Sequence, residues 1–502
     1  MLQSRLIVGG AAFPAKLKPY IVLSTRASVI AERVVAVSVF ALLTLFAWTI
    51  LRRQDLIDDA YITARYASNL AHGYGWVWNP GAAPTDGTTA PLWTLLLAAV
   101  SRSPLPFVPA TLALNAIFYG LMGLAGCLLV DRIAGRVAAA VCLVIMAACA
   151  ILLPSCAGME TSLYGALLVA SFLAWHCKRC RTAFALAGLL PLVRGDGALV
   201  WVVLFVAMLQ QRRTRELWPA ALTALLPLAC WELFSLWQFH TLLPTSFLAK
   251  HAQAVNISGK ITWESFLVFG LPIKVGALLI MGATLGVLAG IRVQAVRLLT
   301  LWLILYIAFY VIVANVPNQP WYVVPAWWVL PILTPIALGQ LRHFDRKASP
   351  LRLILPLLCM TFVTLSLRPM PQIVQASLVY HPAPPNHFYQ AAYYLNAHPF
   401  GLVAAGEIGT LGYYSHDPIV NVLGLVSPEV VPHLRTLDYG WVITAERPRY
   451  ILLWGSSSPV NSPCGGDVTC IVWHTPYFHR HYRPVLWWGP HGNGGYALLA
   501  YH

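Results

Sequence analysis

Long apolar runs joined by short basic connections restrict the fold of this chain more than any other feature. A helix needs roughly 20 apolar residues to cross a bilayer. Apolar runs occupy 33–51, 107–130, 137–153, 162–176, 183–194, 197–209, 217–237, 266–290, 298–314, 322–340 and 352–367. The fifth and sixth are short and share the break RGDG. The connections DRIAGR, HCKRCRT, QQRRTRE, IRVQAVR and LRHFDRKASPLR are basic and fall on one side of such a stack. The amino-terminal segment, with Arg5, Lys16, Lys18, Arg26 and Arg33, joins them. Lys and Arg mark the cytoplasmic face, so that side is inside. Eleven spans then put the carboxyl-terminal segment outside. The expected fold class is a polytopic α-helical membrane protein.

Composition agrees. Only 10% of the 502 residues are charged, against about 25% in soluble domains. The net charge of +15 raises the question of nucleic acid. Most basic residues sit between apolar runs, however, which is the footprint of topology, and no basic stripe interleaves with aromatics. No nucleic-acid partner is expected. Most cysteines lie in apolar runs and read as small core residues. Cys177 and Cys180 form an isolated CxxC, a poor metal or redox candidate without a second pair. Cys464 and Cys470 flank a Gly-Gly-Asp turn and could pair outside the cytoplasm.

Residues 1–32 lack a compact apolar stretch followed by a small-residue cleavage site. They read as a cytoplasmic extension, disordered or interfacial, or as the product of an upstream start codon. Residues 33–367 form the expected membrane domain, with a first external loop at 52–106. The Pro-rich segment 368–385 reads as a linker. Beyond it, a helical stretch and strand-length runs such as GLVAAG, IVNVLGL and RYILLW predict a small α/β domain over 386–502. No internal repeat is visible, and the chain is expected to act as a monomer.

The loop after the first span holds the most informative string, LIDDAYITARYASNLAHGYGWVWNPGAAPTDGTTAPLW, at 56–93. Residues 58–72 have helical spacing, with Tyr61, Ile62, Tyr66 and Leu70 on one side. Asp58 and Asp59 repel each other, which raises one pKa unless a cation or hydroxyls intervene. Taken bare, the pair reads best as a helix cap; a carboxylate that meets an arriving hydroxyl is instead a general base. Other ionisable groups gather on the same side: Arg65, Glu160, Arg194 and Asp196 in RGDG, and Lys250 and His251. Glu232 and Lys274 lie inside apolar spans, where an ionisable group costs roughly 3 kcal/mol; they pair with each other or serve function. Carboxylates suit deprotonating a sugar hydroxyl, and Arg and Lys suit a phosphate. A phosphate at a membrane surface beside apolar spans describes a lipid-linked phosphate.

The string DDAYITARYASNLAHGYGWVWNPG followed by TTAPLW resembles the first external loop of the GT-C superfamily of polyprenyl-phosphate-dependent glycosyltransferases. It is most similar to bacterial arabinofuranosyltransferases of the mycobacterial terminal and pilin-modifying types. GMETSLYGALL, LAGLLPLVRGDGALVW, LLPTSFLAK and GEIGTLGYYS fit in order, so the likeness runs from about residue 33 to the carboxyl terminus. The resemblance implies a GT-C-like fold and transfer of a pentose, arabinofuranose, from a polyprenyl-phosphate donor outside the bacterial inner membrane. The acceptor would be a glycan or a pilin-like protein. The alternatives are transfer of a hexose or aminoarabinose to lipid A or protein, or lipid-linked sugar transport. The resemblance maps the catalytic base to Asp58, with Asp59 orienting the acceptor or stabilising charge. By position, Arg65, Arg194, Lys250 and His251 are candidates for the donor phosphate, and Glu160, Asp196 and Tyr61 for the acceptor or sugar. No cofactor is required, although Asp58, Asp59 and Glu160 could hold a divalent cation through oxygen. The chain departs from the family in RGDG, where RPDG is expected, and in a smaller outer domain.

Overall fold

The computed structural model describes residues 26–212, 214–253, 260–267, 273–314, 316–343, 357–358, 360–361, 386–436, 438–455, 472, 476–488 and 495–502. The expected run 352–367, the linker, residues 1–25 and the Cys464–Cys470 turn lie largely or wholly outside them. Two units are distinguished, Met1–Ser38 and Val39–His502; the contacts below lie within the second.

The helices of the apolar layer are α1 (Arg26–Leu51), α2 (Asp58–Ala71), α3 (Pro91–Arg102), α4 (Phe107–Ala134), α5 (Arg136–Cys149), α6 (Thr161–His176) and α7 (Cys180–Val193). They continue as α8 (Ala198–Gln210), α9 (Leu217–Phe239), α10 (Thr245–Gln253), α11 (Trp263–Leu267), α12 (Ile273–Gly290), α13 (Gln294–Ala308) and α14 (Pro320–Leu333). Among the described residues, six helices are long and apolar enough to cross a membrane, and five shorter apolar ones accompany them. The expected runs from 33–51 to 322–340 each fall on one of these, apart from 266–290, whose residues 268–272 lie outside the described ones. Pro91–Arg102 is an apolar helix that the sequence reading left inside the first loop. Outward faces carry Leu222 and Leu233, 66% and 68% exposed. Such apolar surface suits lipid rather than water. This is a multi-pass membrane protein.

Within lipid, helices are drawn together by close packing rather than by exclusion of water. Gly120 and Gly123 on α4 therefore lie directly against Thr44 and Leu43 of α1. The break between α7 and α8 has a local cause. Arg194 adopts an extended backbone (φ −158, ψ 135), and a Cβ at Gly197 would strike the backbone of Leu190 at 2.6 Å.

The carboxyl-terminal part is a five-stranded sheet in the order β2-β1-β3-β5-β4. Its strands are β1 (Val403–Ala405), β2 (Ile419–Asn421), β3 (Tyr450–Gly455), β4 (Tyr482–Trp488) and β5 (Gly495–Tyr501). β1 pairs in parallel with β2 and β3, with Val403 opposite Ile419 and Tyr450. β5 runs antiparallel to β3 and β4. Val403, Ala404 and Ala405 are fully buried, as expected of a parallel strand covered on both faces. Two helices matter below: α15 (His387–Asn396) and α16 (Gly409–Tyr414). α15 buries Phe388, Ala391, Ala392 and Leu395, one stripe at helical spacing. α16 packs on α2 and brings the sheet over the first external loop.

Candidate active site

The acidic pair occupies the first turn of α2, where the helix dipole favours carboxylates. Neither residue caps its own helix: the N-cap is Ile57, which makes no side-chain cap bond. Asp58 instead caps a helix of the outer sheet. Its Oδ2 accepts the Gly409 N–H at 3.0 Å and its Oδ1 the Thr410 N–H at 2.8 Å. Glycine is required at 409, because a Cβ there would collide with the Asp58 carbonyl. Burial pushes the Asp58 carboxyl up, the bonds from Thr410 pull it down and Asp59 pushes it up again, to about 6.

Asp59 faces the other way, 4.0 Å from Lys250 Nζ. Lys250 donates to the Tyr322 hydroxyl at 3.2 Å. The Tyr322 ring lies between two cations, with Lys250 Nζ 5.7 Å and the Arg194 guanidinium 5.2 Å from its centroid. Arg194 pairs with Asp196 at 3.0 Å and with Glu160 at 3.7 Å. It also donates to the Tyr310 hydroxyl at 2.7 Å and to the Trp321 carbonyl at 2.6 Å. Tyr310 bonds Asp196 from a π-helical turn, Phe309–Ala314, which re-aims side chains at the end of α13. Asp59, Glu160, Arg194 with Asp196, Lys250 and Tyr322 come from five separate parts of the chain. All belong to, or directly follow, connections that charge alternation puts on one side.

The cluster contains two kinds of cation. Arg194 is 4% exposed, and its donors face Asp196, Glu160, Tyr310 and Trp321; it is a buried strut that fixes Tyr322. Lys250 keeps an open flank. Burial raises the Glu160 carboxyl pKa and Arg194 opposes that rise, so Glu160 and Asp196 serve Arg194 before any sugar.

Arg65 must be corrected as a phosphate candidate. It is 5% exposed and donates to the carbonyls of Trp78, Gly412 and Asp417 and to Asn79 Oδ1. Carbonyls bind the guanidinium instead of an anion, and the residue locks the first loop to the outer sheet. His251 is also displaced: it is exposed and stacked on Phe247, because neighbours on α10 point about 100° apart. The Tyr61 hydroxyl donates to Asp55 at 2.6 Å and meets that of Tyr389 at 2.8 Å. Glu232 and Lys274 form no ion pair among the described residues. Lys274 is exposed, and Glu232 acts on Asp86, whose carboxyl burial and then Glu232 push up to about 7. Among the described residues no group of three or more His, Cys, Asp or Glu is gathered for a metal, and Asp58, Asp59 and Glu160 do not form one.

Beside the cluster an apolar groove of about 210 Å³ opens between α12, α13 and α14, lined by Phe266, Ile307, Trp327 and Leu330 among others. Phe266 meets Tyr306 edge-on at 6.5 Å, and Tyr306 donates to the Tyr322 carbonyl at 2.9 Å. Through Tyr306 the apolar groove is thus joined to Tyr322, which accepts from Lys250.

Solved structures share this fold. ArnT from Cupriavidus metallidurans, bound to undecaprenyl phosphate, superposes with a TM-score of 0.58 at 15% identity, over 92% of this chain and 97% of that one. The fold is GT-C-like. The GT-C-like match extends to AglB, an oligosaccharyltransferase from Archaeoglobus fulgidus, in complex with an inhibitory peptide and a dolichol-phosphate. There the TM-score is 0.55 at 12% identity, over 93% of this chain and 74% of that one. Residues 381–499 match the model of a domain of unknown function, DUF8728. Comparison with curated protein sequences gives no match.

Tyr322 and Tyr310 were missed by sequence reasoning. Tyr322 sits in NQPWYVVP and reads there as an interfacial aromatic. Its only sequence signal is a place at the outer end of a span, directly after a polar, Pro-flanked turn.

Proposed function

We propose that this chain is a membrane glycosyltransferase that moves a pentose, arabinofuranose, from a polyprenyl-phosphate donor to an acceptor hydroxyl at the outer face of the bacterial inner membrane. One observation carries the reading: Asp58, with a pKa raised to about 6, is adjacent in the first turn of α2 to Asp59, which meets Lys250, and Lys250 donates to Tyr322. Undecaprenyl phosphate in ArnT and dolichol-phosphate in AglB support a lipid-phosphate donor. The pentose rests on the first-loop likeness to arabinofuranosyltransferases. The outer side rests on the basic loops at the opposite ends of the helices.

In this reading the polyprenyl chain lies in the groove and the phosphate meets Lys250. Asp58 takes the proton of the acceptor hydroxyl as its oxygen forms a bond to the anomeric carbon. The bond from that carbon to the phosphate oxygen breaks, and polyprenyl phosphate leaves with the electron pair. A lysine ammonium can only donate, so the Tyr322 oxygen accepts from Lys250 and its own proton is free for a phosphate oxygen. Asp59 keeps Lys250 charged and oriented. A base is most effective when its pKa lies near the working pH, and 6 is closer to neutrality than the ordinary carboxylate value.

The test uses the full chain in lipid nanodiscs with polyprenyl-phosphoryl arabinose and a polyprenyl-phosphoryl hexose, following release of polyprenyl phosphate. Turnover from the pentose donor is expected. Turnover from the hexose donor alone overturns the pentose assignment; turnover from neither overturns the transferase reading.

A further inference from the structure

The outer sheet places one more carboxylate at the acidic pair. β1 is a pivot: the chain leaves it for β2 on one side and returns to β3 on the other. In open α/β sheets the crevice beyond the carboxyl ends of such strands is where ligands bind. Glu407 stands there, two residues after β1 and two before Gly409, whose N–H holds Asp58. Tyr496 of β5 donates to Glu407 Oε2 at 2.5 Å, while no described residue hydrogen-bonds Oε1. Partial burial raises the Glu407 carboxyl, Tyr496 lowers it and Asp59 raises it further, so the two acids feel each other across the cleft.

From Glu407 an aromatic strip runs along α15. The His387 ring stacks on Tyr496 at 3.9 Å. Farther along α15 an open groove of about 620 Å³ is lined by Tyr389, Tyr393, Tyr394 and Tyr414, with His398 and Leu486 among the rest. Tyr393 is 80% exposed, and no Asp, Glu, Lys or Arg lines the groove. The opposite end of this path holds Asp58, Asp59 and Glu407 against Lys250 alone. A phosphorylated acceptor would meet net repulsion there and find no Lys or Arg among the described residues that line the groove. A neutral polyol fits both ends, because hydroxyls donate to carboxylates and the C–H faces of sugar rings lie flat on tyrosines.

We propose that Glu407 binds the acceptor, and that the acceptor is a neutral saccharide whose further rings rest on the tyrosine groove. This rests on the transferase reading but is tested without turnover. Binding of a neutral arabino-hexasaccharide, the matching disaccharide, a phosphorylated hexasaccharide and a serine-containing peptide is measured by saturation-transfer NMR on the full chain in nanodiscs. Glu407→Gln is expected to weaken both neutral saccharides about tenfold, as loss of one charge-assisted bond would, while polyprenyl phosphate still binds. Tyr393→Ala is expected to weaken the hexasaccharide several-fold and spare the disaccharide. Unchanged affinity in Glu407→Gln overturns the proposal, as does tighter binding of the phosphorylated sugar or of the peptide. If Glu407→Gln also loses polyprenyl phosphate, the variant has misfolded and Tyr393→Ala decides: equal weakening of both saccharides, or of neither, overturns the groove. Saccharide binding in a chain that transfers nothing separates failure of the transferase reading from failure of this one.

Discussion

Asp58→Asn separates chemistry from architecture. Asp58 is proposed as the base and is also the cap of α16, so a loss of activity alone could mean a loosened outer domain. The pKa distinguishes the two. A carboxyl raised from 3.8 to about 6 by folding binds its proton more tightly in the native state. Its stabilising contribution is fully present below pH 3.8 and is lost as the pH rises through 6. The difference, at 1.36 kcal/mol per pKa unit, is about 3 kcal/mol. Asparagine never ionises and escapes that loss. It keeps an oxygen for Thr410 N–H but turns an amide toward Gly409 N–H, which costs about 1–3 kcal/mol at any pH. Thermal unfolding in detergent should therefore show the variant less stable than the parent near pH 4, with the gap closing by about 3 kcal/mol above pH 7. Turnover should fall roughly 10²- to 10⁴-fold, and the acid limb of kcat/KM, centred near pH 6 in the parent, should disappear. A constant stability gap would refute the raised pKa. A variant within a few-fold of parent turnover, or with the same acid limb, would refute Asp58 as the base.

Three other substitutions test the remaining parts. Lys250→Met removes the proposed phosphate cation, and polyprenyl-phosphate binding, followed by tryptophan fluorescence, should weaken roughly tenfold to hundredfold; unchanged binding would move the phosphate elsewhere. Arg65→Ala strips donors from the carbonyls of Trp78 and Gly412 and should destabilise by about 3 kcal/mol or more, with faster proteolysis between first loop and outer sheet. Full stability would deny the strut. Asp86→Asn acts through pH: the carboxyl is raised from 3.8 to about 7, so its stabilisation is present below pH 3.8 and lost as pH rises through 7. The asparagine variant should gain up to about 4 kcal/mol on the parent between pH 4 and pH 8, read as a pH-dependent difference in Tm; a pH-independent difference would contradict it.

The spans were legible because bilayer thickness forces a length and an apolar composition on every crossing helix. The gathering of Glu160, Arg194, Asp196 and Lys250 was legible for a related reason: topology sorts residues by side before contacts are known. What escaped were bonds to the backbone. Nothing in the sequence marks the carbonyls of Gly412 and Asp417 as acceptors, so Arg65 read as a free cation when it is a tie. Likewise Asp58 looked like the cap of its own helix, and it caps one that begins 351 residues later. Pro91–Arg102 was hidden because twelve residues are too few to cross a membrane, although they are apolar enough to be buried against α2.

The bond from Asp58 to α16 changes what the outer domain is for. The small size of that domain argues against a carbohydrate-binding role if it is pictured as an appendage. But the Gly409 and Thr410 N–H groups fix the orientation of the Asp58 carboxylate, and together with burial and Asp59 they set its pKa. If Asp58 is the base, the base takes its working geometry only when the sheet is docked. Arg65 anchors that docking within the same helix α2, through Gly412 of α16 and the turn before β2. One helix therefore presents the carboxylate, and its next turns hold the domain that orients it. Movement of the outer domain would carry the Glu407 carboxylate and the tyrosine groove and free the Asp58 carboxylate from its cap, while Tyr322 and Arg194 stay with the membrane helices. Lys250 stands at the joint: its helix α10 packs Ala249 and Ala252 into the core of the outer domain, and Gln253 donates to the Leu423 carbonyl. In the proposed transferase such a motion would therefore act on the acceptor side and the donor side together.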